Sequence, residues 1–421
     1  MRPNPLRALE RLRNVYHLRS GPEKLALLRV LQRARLGTAR EAVRLHEMLC
    51  FLCAYPDDAR TLASVQRMLK GFARRADVRA QRDALESSGI AGTAIRYPFF
   101  WPSARWLARE WPRHLTLDRL DAAADRAIGK LFCVRSGFAA LDRIRPRGLT
   151  DAVHFLRLVD AMPGDSFAKE SFYDAIEPVL ELRSGRHTPS RTLAWYRVGP
   201  AFWQREALDR ERPDVRAEIG RAPRRVRAVS VGEGARLVDL ARAAMVTRSR
   251  DLDAFAYGDP RTVRIVEDGA GLAFALIGLV PERRRANSDT WGALTLKNGV
   301  PIGYMELGIA GRHVEIAFNT FPAFRDGEAA RVFARTLAML HRVFCTRSFG
   351  IDPYQLGRGN PEAIDSGAWW FYYKLGLRPR AAAAKRLARR ELARWRADRS
   401  YWSSAATLGK LALWPLTYRY H

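Results

Sequence analysis

Cysteine is scarce in this chain: four among 421 residues, Cys50, Cys53, Cys133 and Cys345. Too few and too scattered for a disulfide framework, they indicate a reducing compartment. Cys50 and Cys53 make a C-x-x-C, but it lies within the apolar run 48–53, which reads as a buried helix. A redox pair needs exposure and a zinc site needs further ligands nearby, and no second cysteine pair exists. The histidines are isolated from one another, so no metal site is expected. H-E-x-x-H, the glycine-lysine P-loop and the G-x-S-x-G elbow are all absent. Long apolar runs are lacking as well. The longest, 272–281 and 411–416, fall short of the roughly 18 residues that cross a bilayer. Arginine alternates with leucine over residues 6–12, where a secretory leader would need an unbroken apolar stretch. The expectation is a cytoplasmic protein with peripheral membrane contact left open. Acidic residues are in the minority, 44 against 72 Lys+Arg, for a formal charge of +28. Such a surplus attracts nucleic acid, acidic lipid headgroups or a polyphosphate cofactor. It is mostly arginine in an alanine-rich chain, a pairing that genomic composition also produces, so charge does not choose between them.

What is present is enough for two or three domains, and a 48% hydrophobic content excludes global disorder. Residues 1–225 read as an all-helical region of unknown role. Leu25, Leu28 and Leu31, then Leu45, Met48, Leu49 and Leu52, recur at spacings of three and four. Pro22 follows Ser20-Gly21 as a helix start, and Pro56-Asp57-Asp58 reads as a stop and a new N-cap. The segment Tyr97-Pro98-Phe99-Phe100-Trp101-Pro102, with Trp106 and Trp111, reads either as a wedge between helices or, with Arg96, Arg105, Arg109 and Arg113, as a stacking platform for a base. Arginine, proline and glycine gather near 183–189 and 212–227. The second stretch, at 221–225, is the expected domain boundary.

From residue 226 the pattern changes. A helix is expected over 235–245, then strands over 262–266 and 272–280 about the turn Glu267-Asp268-Gly269. Further strands over 293–296 and 300–307 flank Lys297-Asn298-Gly299, a hairpin signal because Asn-Gly accepts positive φ. A strand over 312–318, a helix over 329–344, a short strand over 348–351 and a helix over 367–375 complete residues 226–380, with Gly376 as the last helix's C′ residue. Residues 381–421 read as a basic helical tail. Lys385, Arg386, Arg389, Arg390, Arg394 and Arg396 surround a modest stripe of Leu387, Leu392 and Trp395. That helix is either solvated and docked on its own domain, or a contact for anionic membrane or RNA. The class is α+β or α/β: a helical region, a mixed-sheet domain and a basic C-terminal helix.

The order hairpin, strand, glycine-containing loop, long helix, short strand, short helix ends in Ala368-Trp369-Trp370-Phe371-Tyr372-Tyr373-Lys374-Leu375-Gly376-Leu377. It resembles the GNAT superfamily of N-acetyltransferases, whose closing helix commonly reads A-x-x-[hydrophobic]-Y-x-K-L-G-F. Ala368, Phe371, Tyr372, Lys374, Leu375 and Gly376 match, with Leu377 for Phe. The segment Gly299-Val300-Pro301-Ile302-Gly303 resembles the family's G-x-x-V/I-G. The resemblance covers residues 226–380 only, and each piece alone is weakly specific. It implies an N-acyltransferase that uses acetyl-CoA or another acyl-CoA, with a small-molecule or peptide amine as acceptor.

Acyl transfer from a thioester needs a pyrophosphate site, a base to free the amine and an acid for the leaving thiolate. A loop entering a helix N-terminus presents free N–H groups to phosphate. Phe324, Arg325, Gly327, Ala329 and Ala330 occupy that position, and Asn360 is added as a cofactor contact. The loop departs from the family's Q/R-x-x-G-x-G/A in either register, and it carries Asp326 and Glu328. These acids also suit a first helical turn, where they complement the dipole. Tyr372 sits where the family often has its general acid, or else is one aromatic of a buried cluster. Glu315, on the strand that would splay to admit cofactor, is the candidate base; the other reading is an exposed strand glutamate. Tyr354 and Gln355 follow the short strand as substrate-loop candidates. The alternative to an enzyme is a non-catalytic scaffold of the same fold with a protein, nucleic-acid or membrane partner.

Overall fold

The computed structural model describes residues 4–286, 288–325 and 327–421. They divide into two compact units. The first contains 4–196, 203–205 and 236–257; the second contains 197–202, 206–235 and 258–421. The expected boundary at 221–225 is therefore misplaced. That stretch lies inside the second unit, and the chain passes from the first to the second at 196/197, soon after the earlier Arg/Pro/Gly cluster.

One helix of the first unit begins at the N-cap expected at Pro56-Asp57-Asp58. Asp58 accepts the Thr61 N–H at 2.8 Å to open helix Ala59–Gly71, and Thr38 caps Ala39–Ala54. Asp57 beside it turns inward and binds Lys24 Nζ at 2.9 Å, both side chains being buried. The unit is not all-helical. Three-residue strands β1 (Ile95–Tyr97), β2 (Leu115–Leu117) and β3 (Leu180–Leu182) form an antiparallel sheet in the order β1-β3-β2. Strands this short carry too little period-2 pattern to be read from sequence. The aromatic segment is core. Phe99, Trp101 and Trp106 are buried with Leu115, Phe155 and Tyr173, and Trp106 meets Trp111 edge to face. The nearby arginines are drawn to carboxylates, Arg96 to Glu86 and Glu181, and Arg105 to Asp160. The stacking-platform reading is thereby corrected: aromatic area this large is worth most when removed from water.

Helix Trp101–Glu110 has no cap among its own residues. Asp251 supplies one from a distant segment, accepting the Phe100 N–H at 2.8 Å and the Ser103 hydroxyl. Burial pushes the Asp251 carboxyl up to about 7, against these two donors. A carboxyl raised above its unfolded value binds more protons when folded. Its cost to stability is full above about pH 7 and disappears below the ordinary value near 4. Asp251→Asn is therefore expected to stabilise the first unit at pH 7.5 relative to wild type, with the advantage shrinking toward pH 4.5. Thermal melts of the two proteins across that range check it, and parallel profiles would remove Asp251 as the cause.

The second unit is built on nine strands: β4 (Arg225–Ala228), β5 (Arg264–Gly269), β6 (Leu272–Gly278), β7 (Asp289–Lys297), β8 (Val300–Ala310), β9 (His313–Thr320), β10 (Ser348–Ile351), β11 (Arg378–Pro379) and β12 (Leu416–Arg419). Their order is β11-β12-β10-β9-β8-β7-β6-β5-β4. Every neighbouring pair is antiparallel except β9 and β10, which run parallel. The parallel pair requires a crossover, and the long helix Ala329–Phe344 makes it. The β7–β8 hairpin turns at Asn298 and Gly299, with φ of 47° and 83° as Asn-Gly predicts. β6, the apolar run seen in the sequence, is buried along its whole length between neighbours. The closing helix Ala368–Lys374 ends as expected: Gly376 has φ 95°, Gly376 N–H reaches Tyr373 C=O, and Leu377 N–H reaches Tyr372 C=O.

Residues 381–421 are not a tail. Helix Ala382–Ala397 is present, but the chain then returns and inserts β12 between β10 and β11. β4, β11 and β12 escaped the sequence reading because each is short and takes its order from pairing partners far away in the chain.

Candidate functional site

The register of β9 and β10 defines the site. They pair at His313–Ser348, Val314–Phe349 and Glu315–Gly350, and no further. β9 continues to Thr320, while Ile351 at the end of β10 pairs with Leu416 on its other side. Beyond Glu315 the two strands part. Phe321 N–H donates to Ile302 C=O at 2.9 Å, which sets the alternation of β9 against β8. The backbone N–H and C=O of Phe318 and Thr320 consequently face the opening, with no strand partner among the described residues. Gly303 lets β8 approach at this level, because a Cβ there would sit 2.4 Å from Asn319 C=O.

The carboxyl end of β9 leads through 3-10 turn Pro322–Phe324 into the long helix, so the helix N-terminus lies at the same end as the opening. Val332 N–H is the first to close an intrahelical bond, onto Glu328 C=O at 2.8 Å, and the Glu328 side chain does not cap the helix. The N–H groups of Ala329, Ala330 and Arg331 are thus first-turn donors without intrahelical partners. Glu328 does not oppose an anion here. Its carboxylate is buried and takes Lys297 Nζ at 2.7 Å, with Arg331 at 3.6 Å. Burial pulls the Lys297 ammonium down from its ordinary value, and Glu328 pulls it back up.

The other loop residues divide. Phe324 is buried and gives its side chain to the core. Gly327 is also buried, and Asp326 lies outside the described residues. Arg325 is exposed and engaged, its Nε on Thr320 C=O at 3.2 Å and its Nη2 on Glu362 at 2.6 Å. Asn360 is committed to a helix cap, accepting the Ala363 N–H at 3.2 Å, which is a structural reason for its presence. Tyr354, exposed, and Gln355, half-buried, lie in the turn Pro353–Leu356 directly after β10, at the mouth of the opening.

Glu315 is exposed on the sheet face shared with His313, beside Gly350, whose missing side chain leaves room for both. Tyr372 is reached from the other face. Phe318 meets Phe333 of the long helix with ring centres 5.3 Å apart, and Phe333 meets Tyr372 at 5.2 Å. Tyr372 is buried, which raises its pKa well above the ordinary phenol value, and its hydroxyl has no hydrogen-bond partner among the described residues. No hydrogen bond joins Glu315 to Tyr372. The sheet is continuous elsewhere, so the opening past Gly350 is where the two faces meet.

Sequence reasoning missed Lys297 and Phe333. Lys297 was read only as a turn residue. Its signal was position: a lysine closing the apolar strand segment Ala293-Leu294-Thr295-Leu296 needs a buried acid. The C-x-x-C pair is not poised as thiolates. Cys53 is buried, and burial pushes the Cys50 thiol up to about 11, so neither is a thiolate at neutral pH. No cluster of metal-ligand side chains occurs among the described residues. Among the described residues no helix is long and apolar enough to cross a membrane. Comparison of the chain with protein families, with characterised proteins and with solved structures finds no match in any of the three.

Proposed function

We propose that the second unit is an N-acyltransferase that moves an acyl group from an acyl-CoA to an amine. The observation that carries this reading is the parting of β9 and β10 at the end where the long helix begins. At that end lie the Phe318 backbone without a strand partner, the first-turn amides of the long helix and the exposed Glu315 carboxylate, with Tyr372 reached from Phe318 through Phe333. The thioester's extended arm suits the open edge of β9, where Phe318 offers a strand-like N–H and C=O. The pyrophosphate suits the N–H groups of Ala329, Ala330 and Arg331, helped by the helix dipole. The pair with Lys297 removes the repulsion that Glu328 would otherwise exert.

Glu315 accepts the proton that the amine loses as it attacks the acyl carbon. The thiolate leaves toward Tyr372. A phenol this reluctant to ionise stays protonated, so Tyr372 stabilises the leaving sulfur by hydrogen bonding, and solvent completes the protonation. This modifies the general-acid role expected from the resemblance. Tyr354 and Gln355 at the mouth face the incoming acceptor.

The test is calorimetric titration of the full chain with acetyl-CoA and with free CoA. Micromolar binding of both is expected. Ala330→Asp should abolish it without unfolding the protein, because an acid in a first helical turn favours the helix while repelling phosphate. Absence of heat with either ligand, or unchanged binding by the variant, would refute the site. The scaffold reading would then stand.

A further inference from the structure

Helix Ala382–Ala397 buries one stripe, Ala384, Ala388 and Glu391, against its own unit. Its outer face is made of Lys385, Arg386, Arg389, Arg390 and Arg396, all exposed. No carboxylate pairs with any of them among the described residues. The one acid within the helix, Glu391, is buried and bound to Tyr401 and Arg394. This differs from the first unit, where arginines such as Arg44, Arg75, Arg96 and Arg119 are matched to acids. Sixteen residues of helix make a cationic ridge about 24 Å long.

An exposed indole follows the helix in the chain. Tyr401 is fixed to Glu391 by a 2.8 Å hydrogen bond, and Ser403 is fixed to Trp370 Nε1 at 3.1 Å. The residue between them, Trp402, is held outward and is 86% exposed. Trp395 at the end of the helix is also exposed, with the Arg399 guanidinium 3.9 Å above its ring. Leu413 is exposed after the following short helix. Leaving an indole in water is unfavourable.

We propose that this face docks on an anionic bilayer surface, the cations at the lipid phosphates and Trp402 in the headgroup layer. Charge complementarity selects the surface: five unmatched cations with no acid among them are attracted to acidic lipid and retained poorly on a neutral one. The indole selects a bilayer over a polyanion alone, because tryptophan is at its most favourable where water meets acyl chain. The inference is independent of the acyltransferase reading and concerns a different part of the second unit.

The experiment is flotation of the full chain with vesicles of phosphatidylcholine alone or mixed with phosphatidylglycerol. Binding is expected only with phosphatidylglycerol and should weaken as salt is raised. The variant R386Q/R389Q/R390Q, whose replaced side chains make no hydrogen bond or ion pair among the described residues, should lose on the order of a hundredfold in partitioning, about fivefold per charge. Bromine placed on the lipid chains should quench tryptophan emission in the wild type, and less so in Trp402→Phe. Failure to bind anionic vesicles, or equal binding by the triple variant, would overturn the proposal. Binding of a duplex oligonucleotide that the triple variant loses, in the absence of vesicle binding, would overturn it in favour of nucleic acid.

Discussion

Lys297→Met is expected to destabilise the second unit by about 3–5 kcal/mol, while K297M/E328L recovers most of the loss. Lys297 closes β7, Glu328 precedes the long helix, and their 2.7 Å contact is buried at both ends. Removing the ammonium leaves a carboxylate out of water with only Arg331, 3.6 Å away, to offset it. Removing both charges takes away the desolvation cost together with the attraction, and well-packed apolar side chains of similar size serve nearly as well. Denaturant unfolding of the wild type, K297M and the double variant measures the difference. A neutral K297M would mean that the carboxylate escapes to solvent. The pair also ties the β7–β8 turn to the helix N-terminus. If the phosphate reading holds, K297M should bind CoA more weakly than its stability loss explains, because it frees a negative charge beside Ala329.

Glu315→Gln is expected to lower turnover by a factor of roughly 10² to 10⁴ while leaving CoA affinity and stability unchanged. The side chain is exposed on a strand, makes no internal ion pair among the described residues, and lies on the sheet face opposite Val314, Ile316 and Phe318. Exchange of such a group for its amide falls within about 0.5 kcal/mol of neutral for stability. The effect should therefore appear in kcat rather than in the binding of the thioester. The measurement is thioester consumption with an acceptor found by screening amines. Full activity in Glu315→Gln would assign the glutamate to the strand surface and leave the base elsewhere.

The parts of the second unit that were legible in sequence are those whose determinants are local. The hairpin at Asn298-Gly299 was readable because its backbone must take positive φ. The long helix was placed at 329–344 and observed at Ala329–Phe344, because a sixteen-residue amphipathic pattern is hard to mistake. The end of the closing helix at Gly376 followed from glycine's access to the left-handed region. The three-residue strands of the first unit and the two-residue β11 show no such pattern. Arg335 was a clue left unused. An arginine amid Val332-Phe333-Ala334 and Leu337-Ala338-Met339 must be neutralised where it is buried, and Asp268 does so with its Oδ2 2.7 Å from Nε. Its further contact with Glu218 places residues before the expected boundary firmly in the second unit.

The candidate site divides in the same way. Its residue types, a strand glutamate, a helix-opening loop and a tyrosine above Lys374-Leu375-Gly376, could be listed from sequence alone. Local patterning fixes which side chains share a strand face or a helix turn. It says nothing about where two paired strands stop pairing, since that is set by partners distant in the chain. Here Ile351 pairs with Leu416, from the far end of the chain, and β9 is left open beyond Glu315. Burial obeys the same limit: Glu328 is an anion repellent or an inert ion-pair member according to whether Lys297, thirty-one positions earlier, is folded against it.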